Sequence, residues 1–108
     1  PIYRMPTVGY GGASNRPLKG GKMSDWEGGI RVNAFVSGGA VPPEKRGTAL
    51  ADYIHISDWY TTFCAIAGIG STDLRAAKAG LPPVDGIDHS QLLIGKAAPG
   101  SGNRTEIH

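Results

Sequence analysis

Residues 15–31 read NRPLKGGKMSDWEGGIR, and this stretch decides how the rest of the chain is interpreted. Lys19 and Lys22 are three residues apart among glycines, which let the backbone approach a bound group and leave N–H groups open to an anion. The stretch matches neither the GxxxxGK[ST] nor the GxGxxG phosphate-binding pattern. Taken alone, it fits either an oxyanion-binding loop or a solvated basic turn.

The chain around this stretch is poor in core-forming residues. Leu, Ile, Val and Phe make up about a fifth of its 108 residues, whereas 17 Gly and 8 Pro favour turns and loops. Its 11 basic and 9 acidic residues leave a net charge of +2 without a basic stripe, which argues against a nucleic-acid partner. We therefore expect a loop-rich piece with a thin core, and we find no apolar run of about 18 residues for a membrane span.

Signals of cellular compartment are sparse. The chain begins at Pro1 without a Met, as in a partial sequence, so the missing leader says nothing about where the parent protein travels. The single cysteine, Cys64, leaves the redox compartment open. Asn103-Arg104-Thr105 fits the N-glycosylation acceptor pattern, which would matter in a secretory protein.

The periodicity of apolar residues changes along the chain. Residues 1–29 show no sustained period and are predicted to form a long loop. Residues 30–36 alternate as in a strand, which Gly38-Gly39 ends. Pro42-Pro43 opens an exposed connection, after which residues 50–56 are predicted to form a second extended segment.

A helix is predicted to follow the second extended segment. Ser57 is placed as its N-cap, with a hydroxyl that accepts a backbone N–H, and Asp58 lies at the positive end of the helix dipole. Gly68 supplies the stop. Four residues recur at helical spacing and form its predicted apolar stripe: Tyr60, Phe63, Cys64 and Ala67.

A second, shorter helix is predicted near residue 90. Residues 68–86 are assigned to loop, with Pro82-Pro83 excluding helix there. Asp88 is placed as the cap of the second helix, Gln91 at its third position as in a capping box, and Gly95 at its end.

Several chemistries are disfavoured by spacing. No pair among the three histidines forms an HxxxH or HExxH metal motif: His55, His89 and His108. Cys64 lies on the predicted apolar stripe, which favours a buried structural thiol over a nucleophile. Ser57 lies outside any GxSxG elbow and is interpreted as a helix cap.

The stretch 15–31 closely resembles the N-x-P-L-[RK]-G-x-K-x-[ST]-x-[WY]-E-G-G-[IV]-R segment of type I sulfatases, particularly those similar to arylsulfatase B. Further motifs follow in the family's order. They are the strand-like Phe35-Val36-Ser37, the helix start His55-Ile56-Ser57-Asp58-Trp59 with Thr62, the turn Asp85-Gly86-Ile87-Asp88, and Arg104-Thr105-Glu106-Ile107-His108. Together they cover nearly the whole chain, which is far more specific than any one motif.

The resemblance implies a role for Lys22. In sulfatases the lysine of P-L-x-G-x-K reaches the substrate sulfate, and Lys22 occupies that position. Such a compact cation would offset charge on the transferring sulfuryl oxygens where water is excluded. Lys19 matches a position that is basic but not catalytic.

Three other positions acquire expectations from the same resemblance. Trp26 is a candidate substrate-binding residue, because with Glu27 it lies where the family shapes and braces the rim of the active site. Arg31 is expected to be structural. His108 has a possible substrate-side role by its position.

Two family hallmarks are missing from this sequence. Sulfatases attack sulfur with a formylglycine made from Cys or Ser in C/S-x-P-x-R, and Cys64 is followed by Ala65-Ile66-Ala67-Gly68 instead. Their calcium ion is held by Asp and Asn side chains, and the D-N-G-G motif is absent here, so we expect no metal ligand in this segment and place the calcium ligands upstream of Pro1. The isolated segment is accordingly expected to be inactive.

The resemblance implies an α/β fold of the alkaline-phosphatase-like type, of which this would be a carboxy-proximal fragment with about two strands and two short helices. Residues 1–108 would be a partial sulfatase domain: an active-site loop at 1–29, a strand-strand-helix unit at 30–67, and at 68–108 a loop, a short helix and the lead into the carboxy-terminal subdomain.

The parent would cleave sulfate esters of small molecules or glycans, would need the rest of its chain, and by family resemblance would be lysosomal, secreted or periplasmic. Two alternatives stay open: a free-standing anion-binding or interaction module, and a piece of a related phosphoesterase.

Overall fold

The computed structural model describes residues 14–107 and divides the chain into two compact units, Pro1–Phe35 with His108 and Val36–Ile107. In the described part of the first unit there is one short helix, α1, at Glu27–Ile30. The second unit contains a 3₁₀ helix at Pro43–Lys45 and three α-helices: α2 at Asp58–Ile66, α3 at Leu74–Lys78 and α4 at Ser90–Leu93. No helix within residues 14–107 has the length and apolar character needed to cross a membrane.

Helix α2 confirms the helix predicted after residue 57, although its start differs from the prediction. The Ser57 side chain makes no capping hydrogen bond. Its Oγ lies 2.9 Å from His55 Nδ1 instead. Asp58 Oδ2 accepts from the backbone N–H of His55 at 2.7 Å, so it is the Asp58 carboxylate that ties the preceding turn to the helix. At the other end, Gly68 has a φ of 70°, as expected of a glycine that terminates a helix.

The buried face of α2 is polar, which corrects the predicted apolar stripe. Tyr60 and Phe63 are 50% and 59% exposed, whereas Asp58 and Thr62 are fully buried. Of the four predicted stripe residues only Cys64 is buried, as a free cysteine, which confirms the burial predicted for its thiol. Helical spacing correctly identified the helix, but the face that turns inward depends on what the rest of the chain offers to it.

The two predicted strands are not confirmed. Ile30 ends α1, and the residues that follow it, like residues 50–56, pair with no neighbouring strand in the part of the chain that the structure describes. A strand is stabilised by ladder hydrogen bonds and by burial of one face. Residues 30–36 show neither feature. Val32 and Phe35 would lie on opposite faces of the predicted strand, and they are 81% and 89% exposed, so neither face is buried.

Helix α3 lies within the loop that was predicted for residues 68–86. Asp73 Oδ1 accepts from the backbone N–H groups of Arg75 and Ala76 at 2.9 and 3.0 Å, which is a helix N-cap. The helix ends with Ala79 and the positive-φ Gly80, just before Pro82-Pro83, so the prolines limit its length without forbidding it.

Helix α4 confirms the second predicted helix and packs against α2. Asp88 Oδ1 accepts from Ser90 N at 2.7 Å, but the N-cap is His89, one residue later than predicted, so Gln91 is the second helical residue and not the third. The buried apolar residues of the second unit are few: Val41, Cys64, Leu92 and Leu93. Asp58, Thr62, His89 and Ser90 are buried alongside them, so hydrogen bonding contributes to this core as well as apolar packing.

Candidate functional site

The stretch 19–30 of the first unit folds into a tight turn followed directly by α1. Ser24 N donates to Gly21 O at 3.1 Å, which closes a four-residue turn with Lys22 and Met23 at its centre. Met23 has a φ of 73°, an unusual value for a residue with a side chain. Lys22 thus lies at the second position of the turn, exposed to solvent.

Two glycines of α1 let this helix pack against the turn. The Gly28 N–H donates to Lys19 O at 2.8 Å, and a Cβ on Gly28 would lie 2.4 Å from Gly20 O. A Cβ on Gly29 would lie 2.2 Å from Ser24 O and 2.5 Å from Gly21 O. Only residues without a side chain fit at these two positions, which explains why the sequence has Gly-Gly there.

The two lysines of the stretch have different surroundings. Lys19 Nζ lies 3.6 Å from the centre of the Trp26 ring, in a cation–π contact. Lys22 makes no hydrogen bond or ion pair with any residue in the range 14–107. Among the described residues, therefore, none competes with an approaching anion for the Lys22 ammonium.

Trp26, Glu27 and Arg31 lie at the base of the same loop. Trp26 is the residue before α1 and is 54% exposed. Arg31 NH1 lies 3.5 Å from Glu27 Oε2, and both side chains are more than half exposed, so this ion pair contributes little stability. Ser24, Asp25 and Trp26 line a surface pocket, and Lys22 is not among the described residues around it.

A second polar cluster, which the sequence did not predict, is built around Asp58 in the second unit. Its carboxylate is fully buried and accepts two hydrogen bonds from Arg104, at 2.7 Å from Nε and 2.6 Å from NH2. The backbone N–H groups of Ile87 and His55 donate to the same carboxylate at 2.9 and 2.7 Å. Burial opposes ionisation of Asp58, but the hydrogen bonds from Arg104, Ile87 and His55 outweigh it and hold its pKa well below the usual range.

His89 and Thr62 complete this cluster. Thr62 Oγ1 accepts from His89 N at 3.0 Å and lies 3.4 Å from Ile87 O. His89 Nε2 lies 3.4 Å from Asp58 Oδ2 but makes no hydrogen bond with any described residue. The cluster joins α2 to residues 86–89 and to Arg104. Because Asp58, Thr62 and His89 are buried, we interpret it as structural.

Asp52 holds the segment before Arg104 in a similar way. Its two carboxylate oxygens accept from Gly100 N and Gly102 N, each at 3.0 Å. These backbone hydrogen bonds, that from Gly100 first, lower the pKa of Asp52. Asp52 and Asp58, which lie close together in the sequence, thus both accept hydrogen bonds from a segment about 50 residues further along the chain.

The remaining predicted site residues stay untested. Asn103 is exposed, as a glycan acceptor must be. His108 lies outside the described residues. Within residues 14–107 there is no group of three or more His, Cys, Asp or Glu side chains that could hold a metal ion.

Curated relatives of this chain are arylsulfatases. Arylsulfatase J of Mus musculus is 43% identical over 63 residues, which cover 58% of this chain and 10% of that protein. Arylsulfatase G of Rattus norvegicus is 36% identical over 91 residues, which cover 81% of this chain and 14% of that protein. No family model and no solved structure matches the chain.

These matches identify the chain as a segment of the sulfatase family, which confirms the resemblance of its motifs. The relationship implies an alkaline-phosphatase-like fold for the protein to which the segment belongs. The chain spans about a tenth and a seventh of the lengths of these two relatives.

Proposed function

We propose that this chain is part of a sulfuric ester hydrolase similar to the arylsulfatases and that Lys22 contacts the sulfate group of the substrate. The observation that carries the proposal is the position of Lys22 in a tight turn, exposed and without a partner among the described residues, in a chain related to arylsulfatases. The substrate would be a sulfated small molecule or a sulfated glycan.

The turn suits this role for a physical reason. A lysine ammonium is a compact charge that can approach one non-bridging oxygen of a sulfate. Since the turn holds the Lys22 backbone in place, less conformational freedom is lost when the ammonium meets the anion. Lys19 is less suited because its ammonium already lies over the Trp26 ring.

Two further residues have secondary roles in this proposal: Trp26 and Asn103. Trp26 would contact the substrate at the rim of the site, since its ring is 54% exposed next to the turn. Asn103 would carry a glycan if the protein enters the secretory pathway, in accord with its exposure.

The formylglycine and the calcium ion of sulfatases would come from outside this segment. The sequence has no C/S-x-P-x-R motif, and the described residues have no carboxylate cluster that fits a calcium ion. The part assigned to this chain is to bind and orient the sulfate.

The test is steady-state hydrolysis of an aryl sulfate by the full-length protein encoded by the reading frame that contains this segment. Lys22→Ala is expected to lower kcat/KM by roughly 10²–10³-fold, the cost of losing one preorganised donor to a developing anion. Lys22→Arg is also expected to perform poorly, because a planar guanidinium is larger and differently shaped than an ammonium.

Lys19→Ala is the matched control, since it removes the same charge three residues away. It should cost much less, because the cation–π contact with Trp26 is worth only about 0.5–1 kcal/mol at an exposed site. Thermal melts check that all variants fold. If Lys22→Ala kept a near-normal kcat/KM while Lys19→Ala lost most of it, the sulfate contact would be assigned to the wrong lysine.

A further inference from the structure

The side chain of Ser24 closes the turn that carries Lys22. Ser24 Oγ donates to Gly21 O at 2.7 Å and accepts from Gly21 N at 3.1 Å. With the bond from Ser24 N to Gly21 O, three hydrogen bonds connect these two residues. Two of the three are lost if the hydroxyl is removed.

Only Lys22 and Met23 lie between the two residues that these bonds connect. The position of the Lys22 Cα therefore follows from the position of Ser24 relative to Gly21. Met23 adopts a φ of 73°, which an L-residue rarely adopts unless its surroundings impose it. The hydroxyl of Ser24 helps to impose this conformation, because it binds both the N–H and the carbonyl group of Gly21.

Apolar packing contributes little to holding the turn. Met23 is 78% exposed, and every described residue of the first unit is at least partly exposed. The turn is held instead by hydrogen bonds and by the close approach of Gly29 to Ser24 O and Gly21 O. Loss of the Ser24 hydroxyl thus removes a large part of what keeps Lys22 in one place.

We propose that Ser24 is a positioning residue for Lys22: its hydroxyl fixes the turn from Gly21 to Ser24 and so aims the Lys22 ammonium at the sulfate. This inference rests on the proposed function, because Lys22 needs a fixed position only if it meets a substrate. Ser24 acts through Lys22 and need not touch the substrate itself.

A double-mutant cycle in the full-length protein tests this proposal, with kcat and KM measured separately for an aryl sulfate. Ser24→Ala is expected to lower kcat/KM by roughly 10-fold to 100-fold, the range caused by small displacements of a positioned group. In the Lys22→Ala background, Ser24→Ala should cause little further loss, because the group that it positions is gone. A merely structural role would lower activity in both backgrounds.

Two further variants serve as controls. Ser24→Thr keeps a hydroxyl and should retain most of the turnover. Ser101→Ala removes a hydroxyl that donates to the carbonyl group of Ala98 within another local turn, at 2.5 Å, and should leave turnover unchanged. If Ser24→Ala fails to fold in a thermal melt, Ser24→Cys, with a weak donor of similar size, replaces it in the cycle.

The outcomes separate this inference from the proposed function. If Ser24→Ala keeps its turnover while Lys22→Ala loses most of it, the positioning role of Ser24 is overturned and the sulfate contact of Lys22 still stands. The positioning role is also overturned if Ser24→Ala lowers kcat/KM equally in the wild-type and Lys22→Ala backgrounds, or if Ser24→Thr loses activity. A wild-type protein that hydrolyses no aryl sulfate and binds no inorganic sulfate overturns the proposed function and the positioning role together.

Discussion

Asp58 shows how one buried charge is accommodated. Its carboxylate is fully removed from solvent, which would be prohibitively costly without partners. Four hydrogen bonds, two of them from the Arg104 guanidinium, compensate for the lost water. Asp58 is thus both the first residue of α2 and the acceptor that binds three other parts of the chain.

Removal of the Arg104 charge should destabilise the protein strongly. Arg104→Met leaves the buried Asp58 carboxylate without its ion-pair partner, and we expect a loss of about 3–5 kcal/mol in the free energy of unfolding. Chemical denaturation of the full-length protein measures the loss.

Arg31→Met is the matched control for this prediction. It breaks the exposed ion pair with Glu27, in which the side chains are 64% and 54% exposed, and should cost less than about 1 kcal/mol. Similar losses for the two variants would contradict the structural role assigned to the pair of Asp58 and Arg104.

Among the elements, α2 and residues 85–88 depend on close contact. A Cβ on Gly86 would lie 2.4 Å from Ser57 O and 2.6 Å from Thr61 Oγ1. The same segment supplies the Ile87 N–H that donates to Asp58. Gly86 is therefore required by the approach of this segment to the start of α2 rather than by a positive φ.

Gly86→Ala should accordingly destabilise the second unit. Forcing a methyl group into this contact is expected to cost about 1–3 kcal/mol. Gly70→Ala is the control, since a Cβ there would meet nothing within 4 Å, and its stability should be unchanged or slightly raised. Thermal melts of both full-length variants make the comparison. An unchanged melting temperature for Gly86→Ala would show that residues 85–88 do not pack against α2 as described.

Helices were easier to predict than strands for a physical reason. A helix satisfies its own backbone within one segment, so apolar spacing and the terminating glycines Gly68 and Gly95 correctly indicated α2 and α4, although neither helix is capped as predicted. A strand needs a neighbour, and residues 30–36 find none within the described chain. Helix α3 was not predicted, because Pro82-Pro83 indicated a loop for residues 68–86, whereas the helix begins earlier, after its cap Asp73.

For the molecule as a whole, the described residues include few buried apolar side chains and many exposed ones. Four apolar residues are buried among those described, whereas Val32, Phe35, Ile56 and Leu74 are each more than three-quarters exposed. Burial of these side chains against other parts of a larger protein would add to its stability. A chain that spans 10% and 14% of its two relatives is expected to depend on such contacts.

The isolated chain should therefore be marginally stable and inactive. We expect no cooperative thermal transition above about 60 °C by circular dichroism, and no hydrolysis of an aryl sulfate with or without calcium. The full-length protein, assayed in the same buffers, is the control. Calcium-dependent turnover by residues 1–108 alone would show that this segment contains a complete catalytic site.

Sequence alone was sufficient for the family, since the similarity to arylsulfatases confirms what its ordered motifs predicted. It also determined the helical character of residues 58–66, because local spacing carries that signal. These features depend on residues that are near one another along the chain.

Only the tertiary structure decided which groups meet across long separations. Asp58 and Arg104 are 46 residues apart, and nothing in their local sequence pairs them. The same holds for the inward face of α2, where two polar residues replaced the apolar side chains expected there. Burial and pairing depend on what surrounds a segment in space, and local periodicity does not carry that information.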